Sequence, residues 1–561
     1  MELSGSEHGG VLAARALKEC GVTTIFALPG GHILPLFEGA RREGIRIIDT
    51  RHEEGAAMAG VGWALASGEP GVVAVTAGPG VTNAIPGLAE AHAFGAPVVL
   101  MAGRTAFRQH NRGAVQDLPQ LRLVEPITKW QATCHETARV GDYVREALHR
   151  ARAGKPGPTF LEIPQDVMGN AAVEPTRPFR FGYPDDVPRA APRAADLERA
   201  LDLLASAERP LVVAGGGAFW SGAGEVLAAF CERSGIPVTT TSAARGLVPD
   251  DHPRCLGGLV HGGIALASSD VALVLGSAFN ANLVYGGLPL FPPDGAVIQV
   301  DVRAEQVGGN RRPDLALAAD VRTFLEAATE AWTAPADRFD EWTAKARDGV
   351  ASSLRGWEQQ TEASTARLHP GWVARETARF AAALGPHTFA CDGGDSLVWG
   401  LAFARVAGPG RHPATGSALG TLGVGLPFAL AARAARPREP VFLFTGDGAF
   451  GLTAMELDTC ARHGLPVVVV VVNNGGWGDV RHEQRAMYGA EADVGAILSE
   501  LRYDLLAQAV GGYGETVERA EDLRPALQRA VDAGIPAVLN VLCEAEVMSE
   551  LMRNLAALDV M

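Results

Sequence analysis

Residues 441–476 read VFLFTGDGAFGLTAMELDTCARHGLPVVVVVVNNGG, and this stretch decides the fold. An apolar run at 441–445 breaks into Gly446-Asp447-Gly448-Ala449-Phe450-Gly451. A helical pattern follows at 453–463, and a second apolar run, 466–472, ends in Asn473-Asn474. The order is strand, glycine turn, helix, strand. A crossover between parallel strands is right-handed, which brings the glycine turn and the two asparagines to one edge of a sheet. Open α/β sheets bind ligands at that edge.

Gly446, Gly448 and Gly451 also satisfy GxGxxG, the dinucleotide fingerprint. In such a site bare loop amides approach the pyrophosphate, and an acidic residue after the next strand takes the ribose hydroxyls. Here Asp447 lies inside the loop, and the next strand ends in neutral Asn-Asn. A carboxylate aimed at a pyrophosphate repels it unless a divalent cation lies between them. The pattern therefore asks for a diphosphate bridged by a hard cation such as magnesium, which takes oxygen ligands from protein and phosphate together. Asp447, the Asn474 side chain and the Gly476 carbonyl would supply three. The competing reading is an ordinary glycine turn whose Asp caps a helix.

The chain has 561 residues, enough for three or four domains, and 47% of them are hydrophobic. Its net charge is −15, and no basic run exceeds two residues, which argues against nucleic-acid and membrane partners. Seven cysteines lack CxxC or zinc spacing and read as core thiols of a reducing compartment. With neither a signal-peptide pattern nor a run long enough to span a bilayer, the expectation is a cytoplasmic protein.

Before this stretch, a first helix is expected at 8–20 and a strand at 23–27 leading to Pro29-Gly30-Gly31-His32. A strand at 45–49 leads to Arg51-His52-Glu53-Glu54 and a helix at 55–66, with Ala and Gly on every face, as in a buried helix. Glu53 at its start would sit in apolar surroundings that favour a protonated carboxyl; alternatively the two glutamates simply suit a helix N-terminus. A buried strand at 72–75 ends in Thr76-Ala77-Gly78-Pro79-Gly80-Val81-Thr82-Asn83, and a last strand is expected at 157–164. Residues 175–192, with five prolines, make a linker. A central domain opens with a helix at 195–207 and a strand at 210–214 running into Gly215-Gly216-Gly217; further strands are expected at 271–275 and 296–301. Asp301, ending a strand, suits ribose hydroxyls. A charged helical connector at 337–367 precedes a strand at 388–391 and Asp392-Gly393-Gly394-Asp395-Ser396, whose amides suit a diphosphate.

Together, LPGG, RHE, TAGPGxTN and GDG followed by NN resemble the acetolactate-synthase-like superfamily of thiamine-diphosphate enzymes, from about residue 8 to about residue 545. The resemblance implies an α/β chain of three doubly wound parallel-sheet domains: pyrimidine-binding (1–175), central and nucleotide-binding-like (190–345) and diphosphate-binding (369–545), with a C-terminal tail (546–561). It implies thiamine diphosphate and magnesium as cofactors. Glu53 would hydrogen-bond the aminopyrimidine and help activate the thiazolium carbon. Thr76, Pro79, Asn83, Gly394, Asp395, Ser396, Gly420, Leu422, Asp447, Gly448, Ala449, Asn474 and Gly476 would hold the cofactor, Leu422 propping it into its bent form. In relatives the central domain holds FAD, ADP or nothing. Here Gly216 and Asp301 are the nucleotide candidates, and the motif Gly276-Ser277-Ala278-Phe279-Asn280, which lacks the FAD type's arginine and paired aspartates, favours ADP or an empty site. The superfamily places each site between subunits, implying self-association as a dimer or tetramer.

Finer features, including GGHI at 30–33, DGGD at 392–395 and NNxGW with a following EQ, are similar to the 2-hydroxyacyl-CoA lyases. That resemblance implies cleavage of a 2-hydroxyacyl-CoA to formyl-CoA and an aldehyde or ketone. Glu483 would be the proton shuttle, with Glu491 or Asp493 in reserve. His32 and Gln116 would bind the carbonyl oxygen, Leu118 and Trp477 would line the pocket, and His482 is expected on the surface. Alternatives are an acetolactate synthase-type carboligase acting on pyruvate, an oxalyl-CoA decarboxylase-like enzyme, and a non-enzymatic regulator, the last disfavoured by the intact Glu53 and metal set. Against a CoA substrate, the tail offers only Arg553 as a cation.

Overall fold

A computed structural model describes residues 7–170, 182–184, 187–363, 365–414 and 416–557, the last four by backbone alone. The linker expected at 175–192 lies in large part outside them. The chain divides into two compact units, Met1–Pro188 and Arg189–Met561. Three parallel sheets make up an α/β chain, one sheet in the first unit and two in the second.

In the first unit the strands are β1 (Thr24–Ala27), β2 (Arg46–Asp49), β3 (Gly71–Val75), β4 (Val98–Arg104), β5 (Trp130–Thr133) and β6 (Thr159–Pro164), ordered β2-β1-β3-β4-β6-β5. The expected last strand thus lies inside the sheet, and β5 takes the edge. The small-residue helix forms as Glu53–Ser67 and is buried along nearly its whole length. Its smallness lets the helix Pro79–Phe94 approach closely: a Cβ on Gly87 would stand 2.6 Å from Ala57 Cβ. Close packing of these two helices fixes Glu53 and Asn83 beside each other.

The second unit opens with β7 (Pro210–Ala214), β8 (Val238–Thr240), β9 (Cys255–Gly258), β10 (Val271–Leu275), β11 (Ala296–Asp301) and β12 (Leu315–Ala318), ordered β12-β11-β10-β7-β8-β9. The order reverses between β7 and β10, the switch point at which such sheets bind ligands. A helix, Asp340–Gln360, then leads to the third sheet. That sheet holds β13 (Thr388–Asp392), β14 (Val441–Gly446), β15 (Val468–Asn473), β16 (Tyr513–Val517) and β17 (Ala537–Leu542), ordered β13-β14-β15-β17-β16. β15 is buried at every position, which is why it reads as an unbroken valine run. Each such valine contributes roughly 1.5–3 kcal/mol relative to exposure.

Between β14 and β15 the helix expected at 453–463 is instead two short ones. Asp447–Thr453 begins directly at the strand's end, and Glu456–Arg462 follows. Asp447 is therefore the first helical residue, carried to the sheet edge by β14 rather than by a loop.

Candidate active site

Within the second unit, the carboxyl ends of β13, β14 and β15 open into a cavity of about 400 Å³. The turn after β13 contributes Gly394, Asp395 and Ser396, the segment before the helix Gly425–Ala435 contributes Gly420 and Leu422, and the β14 turn contributes Asp447, Gly448 and Ala449. Beyond β15 come Asn474, Gly476 and Trp477. The sequence-predicted residues of this unit thus share one cavity, apart from Glu483, Gly216 and Asp301.

Asp447 is 1% exposed. Burial pushes its carboxyl up to about 6, against the pull of backbone N–H groups from Gly448 and Gly476. The Gly476 amide donates to its Oδ2 at 3.1 Å. One end of the Asn474 carboxamide lies 3.2 Å from Asp447 Oδ1 and 3.0 Å from the Gly476 carbonyl oxygen. With nitrogen at that end the amide would donate to both. With oxygen there, three oxygens converge with no proton among them. Oxygens about 2.1 Å from an octahedral magnesium stand about 3.0 Å apart, close to both separations made by Asn474. The neighbouring Asn473 does different work. Its amide nitrogen donates to the Leu501 carbonyl and to Asn540, and its oxygen accepts from Gly475 N, shaping the turn.

The glycines of this edge have separate reasons. A Cβ on Gly448 would meet the Trp477 ring at 2.6 Å, and one on Gly394 would meet Asp479 Cβ at 2.6 Å. Asp392 accepts from Gly393 N and from Gly425 N, tying the β13 turn to the following helix. The Ser396 hydroxyl donates back to the Asp392 carbonyl.

Several features of the cavity were not read from the sequence. Helix Gly478–Tyr488 places Asp479 in the wall. It also buries His482, expected on the surface but only 7% exposed. His482 Nδ1 meets Asp395 Oδ2 at 2.9 Å, and Nε2 meets the Ala545 carbonyl at 3.0 Å, so both ring nitrogens face acceptors. Burial pulls this imidazole down, but Asp395 outweighs it and leaves His482 above the usual range. Ser242 and Asn282 reach the cavity from the central sheet, and Val547 and Met552 reach it from the tail. Asn282 donates to the Gly416 carbonyl at 2.9 Å, which anchors the segment carrying Gly420 and Leu422.

Glu483 lies one residue beyond His482 and outside the lining. Gly216, opening the helix after β7, and Asp301, ending β11, belong to the central part of the unit and are not among the residues lining the cavity. There Gly215 and Gly217 press against the β10 end: Cβ atoms on them would come within 2.5 Å of Ser277 Cβ and 2.7 Å of Gly276 Cα. Asp301 Oδ1 accepts from Arg303 N.

In the first unit, Asn83 Nδ2 donates to Glu53 Oε2 at 3.0 Å. A second group joins His32, Thr76 and Gln116: His32 Nδ1 lies 3.3 Å from Thr76 Oγ1, which donates to Gln116 Oε1 at 3.2 Å. Burial holds His32 below its ordinary range, a hydrogen bond with Gln116 working the other way. Gln116 has φ 64°, a left-handed conformation that costs a non-glycine residue roughly 1 kcal/mol or more. Its backbone packs on Gly78, where a Cβ would lie 2.9 Å from Gln116 Cβ. Pro79 opens the helix that carries Asn83, and Leu118 is 39% exposed.

A parallel sheet whose glycine turn carries a buried Asp beside a half-buried Asn suits a diphosphate-binding enzyme, and family comparison gives the family. The chain belongs to the thiamine pyrophosphate enzymes. It matches the N-terminal TPP binding domain over residues 7–123, the central domain over 197–328 and the C-terminal TPP binding domain over 392–541. It is 36% identical over 552 residues to a probable acetolactate synthase of Mycobacterium bovis, with 98% of each chain covered. To the acetolactate synthase large subunit of Corynebacterium glutamicum it is 30% identical over 536 residues, covering 93% of this chain and 84% of that one.

These relatives overturn the 2-hydroxyacyl-CoA lyase expectation and favour the carboligase alternative. Among the described residues that line the cavity there is no Lys, Arg or His, and the Arg553 guanidinium donates to the Met548 carbonyl. Glu483, assigned the lyase proton shuttle, is outside the cavity wall. Among the described residues no helix is long and apolar enough to cross a membrane.

Proposed function

We propose that the chain is a thiamine-diphosphate-dependent carboligase of the acetolactate synthase type. On this reading it takes a two-carbon unit from pyruvate, with loss of carbon dioxide, and joins it to a carbonyl acceptor. The observation that carries the proposal is the convergence of Asp447, Asn474 and the Gly476 carbonyl on one cavity, in a chain similar along its length to acetolactate synthases.

Asp447, Asn474 and Gly476 would hold magnesium against the diphosphate, with the turn at Gly394–Ser396 and the Gly448 and Ala449 amides close by. Bound thiamine diphosphate supplies a carbon nucleophile and an electron sink for the charge left by decarboxylation. Glu53, held by Asn83, would hydrogen-bond the pyrimidine, and Leu422 would support the ring. The His32, Thr76 and Gln116 chain would orient the carbonyl oxygen of a 2-oxoacid. Trp477 would wall the pocket and exclude water, with Leu118 at its rim. Sites of this kind are completed by self-association, and we expect a dimer or tetramer. For the central sheet, Gly216 and Asp301 stand among groups engaged locally, so ADP or FAD gains no support there.

The test is incubation of purified protein with pyruvate, thiamine diphosphate and magnesium, following carbon dioxide and the acetolactate product by NMR. Acetolactate that disappears in Glu53→Gln supports the proposal. Carbon dioxide with free acetaldehyde as the sole product makes the protein a decarboxylase, and no consumption of pyruvate overturns the assignment.

A further inference from the structure

The charges around the cavity do not suit a diphosphate as they stand. Among the described residues its wall holds three carboxyl groups, Asp395, Asp447 and Asp479, and no basic side chain. A diphosphate is itself multiply anionic, so each of the three needs compensation. Asp447 is placed for a divalent cation. Asp395 is paired with His482, a buried imidazole whose nitrogens both face acceptors. Asp479 has neither device.

Its surroundings single it out. Asp479 occupies the first turn of the helix Gly478–Tyr488, where an ionised carboxylate is ordinarily solvated and favourable. Instead it is turned into the cavity against Gly394, in the turn expected to hold the diphosphate. Among the described residues its Oδ1, like Asp395 Oδ1, is buried with no hydrogen-bond partner. Asp395 faces it from the β13 side, and Glu483 and His482 come from its own helix; Arg481 on that helix pairs with Glu546 instead, at 3.1 Å. An ionised Asp479 whose Oδ2, the oxygen beside Gly394, met a phosphate would repel it, whereas a carboxylic acid there would donate.

We propose that Asp479 is a cofactor-binding residue that acts as a neutral carboxylic acid, donating its proton in a hydrogen bond to a diphosphate oxygen. The inference rests on the thiamine-diphosphate reading above and adds to it a side-chain hydrogen-bond donor. Consistent with the geometry, burial and the charges of Asp395 and Glu483 push this carboxyl up to about 7, with His482 opposing. The sign follows: the acid form, and the affinity it contributes, is present below that value and lost as pH rises through it.

Calorimetric titration of the apoprotein with thiamine diphosphate and magnesium at pH 6 and pH 8.5 tests this in three proteins: wild type, Asp479→Asn and Asp479→Leu. Asn keeps the shape and a donor but cannot ionise, and it shares every other titration with the wild type, including that of the cofactor's own phosphate. At pH 6 wild type and Asn should bind alike, and Leu about tenfold more weakly, the size of one hydrogen bond to a charged group. At pH 8.5 wild type should fall about tenfold behind Asn, as its carboxylate repels the phosphate. Parallel wild-type and Asn affinities at the two pH values overturn the proposal, as does a folded Leu variant that binds like wild type at pH 6. If wild type binds no thiamine diphosphate at either pH, the cofactor reading falls and this inference with it.

Discussion

Two strands of this chain end in glycine turns that look alike in sequence and do opposite things. β7 runs into Gly215-Gly216-Gly217, and β14 into Gly446-Asp447-Gly448. At the first, the glycines admit the protein's own backbone: Gly217 presses on Gly276 so closely that a Cβ would stand 2.7 Å from its Cα. At the second, the chain opens onto a cavity, and the residue between the glycines is a carboxylate. A glycine after a parallel strand therefore reports close approach, of a ligand or of another piece of the same chain. The residue types around it decide which. Asp447 and Asn474 bring oxygens that ask for a cation, while Ser277 and Gly276 bring packing.

The sharpest break in this comparison is Asp447→Ala. If the β14 turn exists for a metal-bridged diphosphate, magnesium-dependent cofactor binding should weaken by more than about 100-fold, since loss of mere supporting groups around a metal costs 10- to 100-fold. Thiamine diphosphate titration with and without magnesium reads this directly. Binding within a fewfold of wild type would remove Asp447 from the metal site. By contrast Asp301→Ala, at the end of β11, should leave cofactor affinity unchanged in the same titration.

A matched pair of alanines sharpens it further. Gly217→Ala should cost roughly 1–3 kcal/mol of stability, because its neighbour is backbone that cannot turn aside. It should show as an earlier midpoint in denaturant, with cofactor affinity intact in the fraction that folds. Gly448→Ala meets the Trp477 ring at 2.6 Å instead, a side chain able to shift into the cavity. Its stability cost should be the smaller of the two, about 1 kcal/mol, while cofactor affinity falls severalfold. If both variants lose stability alone, the β14 turn is packing as well, and the comparison fails.

How much of this was legible beforehand follows from the same physics. The expected strands at 210–214, 271–275 and 296–301 coincide with β7, β10 and β11; the first two are continuous apolar runs, as a strand buried on both faces requires, and the third is broken only by the buried Gln299 before it ends in Asp301. The turn and strand-end residues expected to hold cofactor and metal in the second unit could be grouped beforehand because strand order alone brings the ends of β13, β14 and β15 to one sheet edge, where Asp395, Asp447 and Asn474 line one cavity. Hidden from the sequence was whatever depended on distant packing. His482 reads as a surface residue until Asp395, far away in the chain, is seen to face it. Asp479 reads as a helix-start acid until Gly394 is found beneath it. Ser242 and Asn282 enter the cavity from the central sheet's connections and Val547 and Met552 from the tail, and none carries a local signal. The substrate was misread for a related reason: motifs that hold the cofactor are shared across the superfamily, and the groups that choose its partner are scattered.

The smallest expected effect tests the comparison from the other side. Gly451 completes the GxGxxG pattern, and in a dinucleotide site the third glycine permits close packing of helix on strand. Here it lies in the helix Asp447–Thr453, is exposed, and a Cβ built on it meets nothing within 4 Å. Gly451→Ala should therefore leave cofactor affinity untouched. It should raise stability by up to about 1 kcal/mol, since alanine loses less backbone freedom in a helix than glycine does. A measurable loss in either quantity would mean that something approaches this turn in the assembled protein, and the fingerprint would regain the meaning that Asp447 took from it. With no loss, Gly448 is explained by its neighbour Trp477 at the β14 edge, and Gly451 is an accident of spacing.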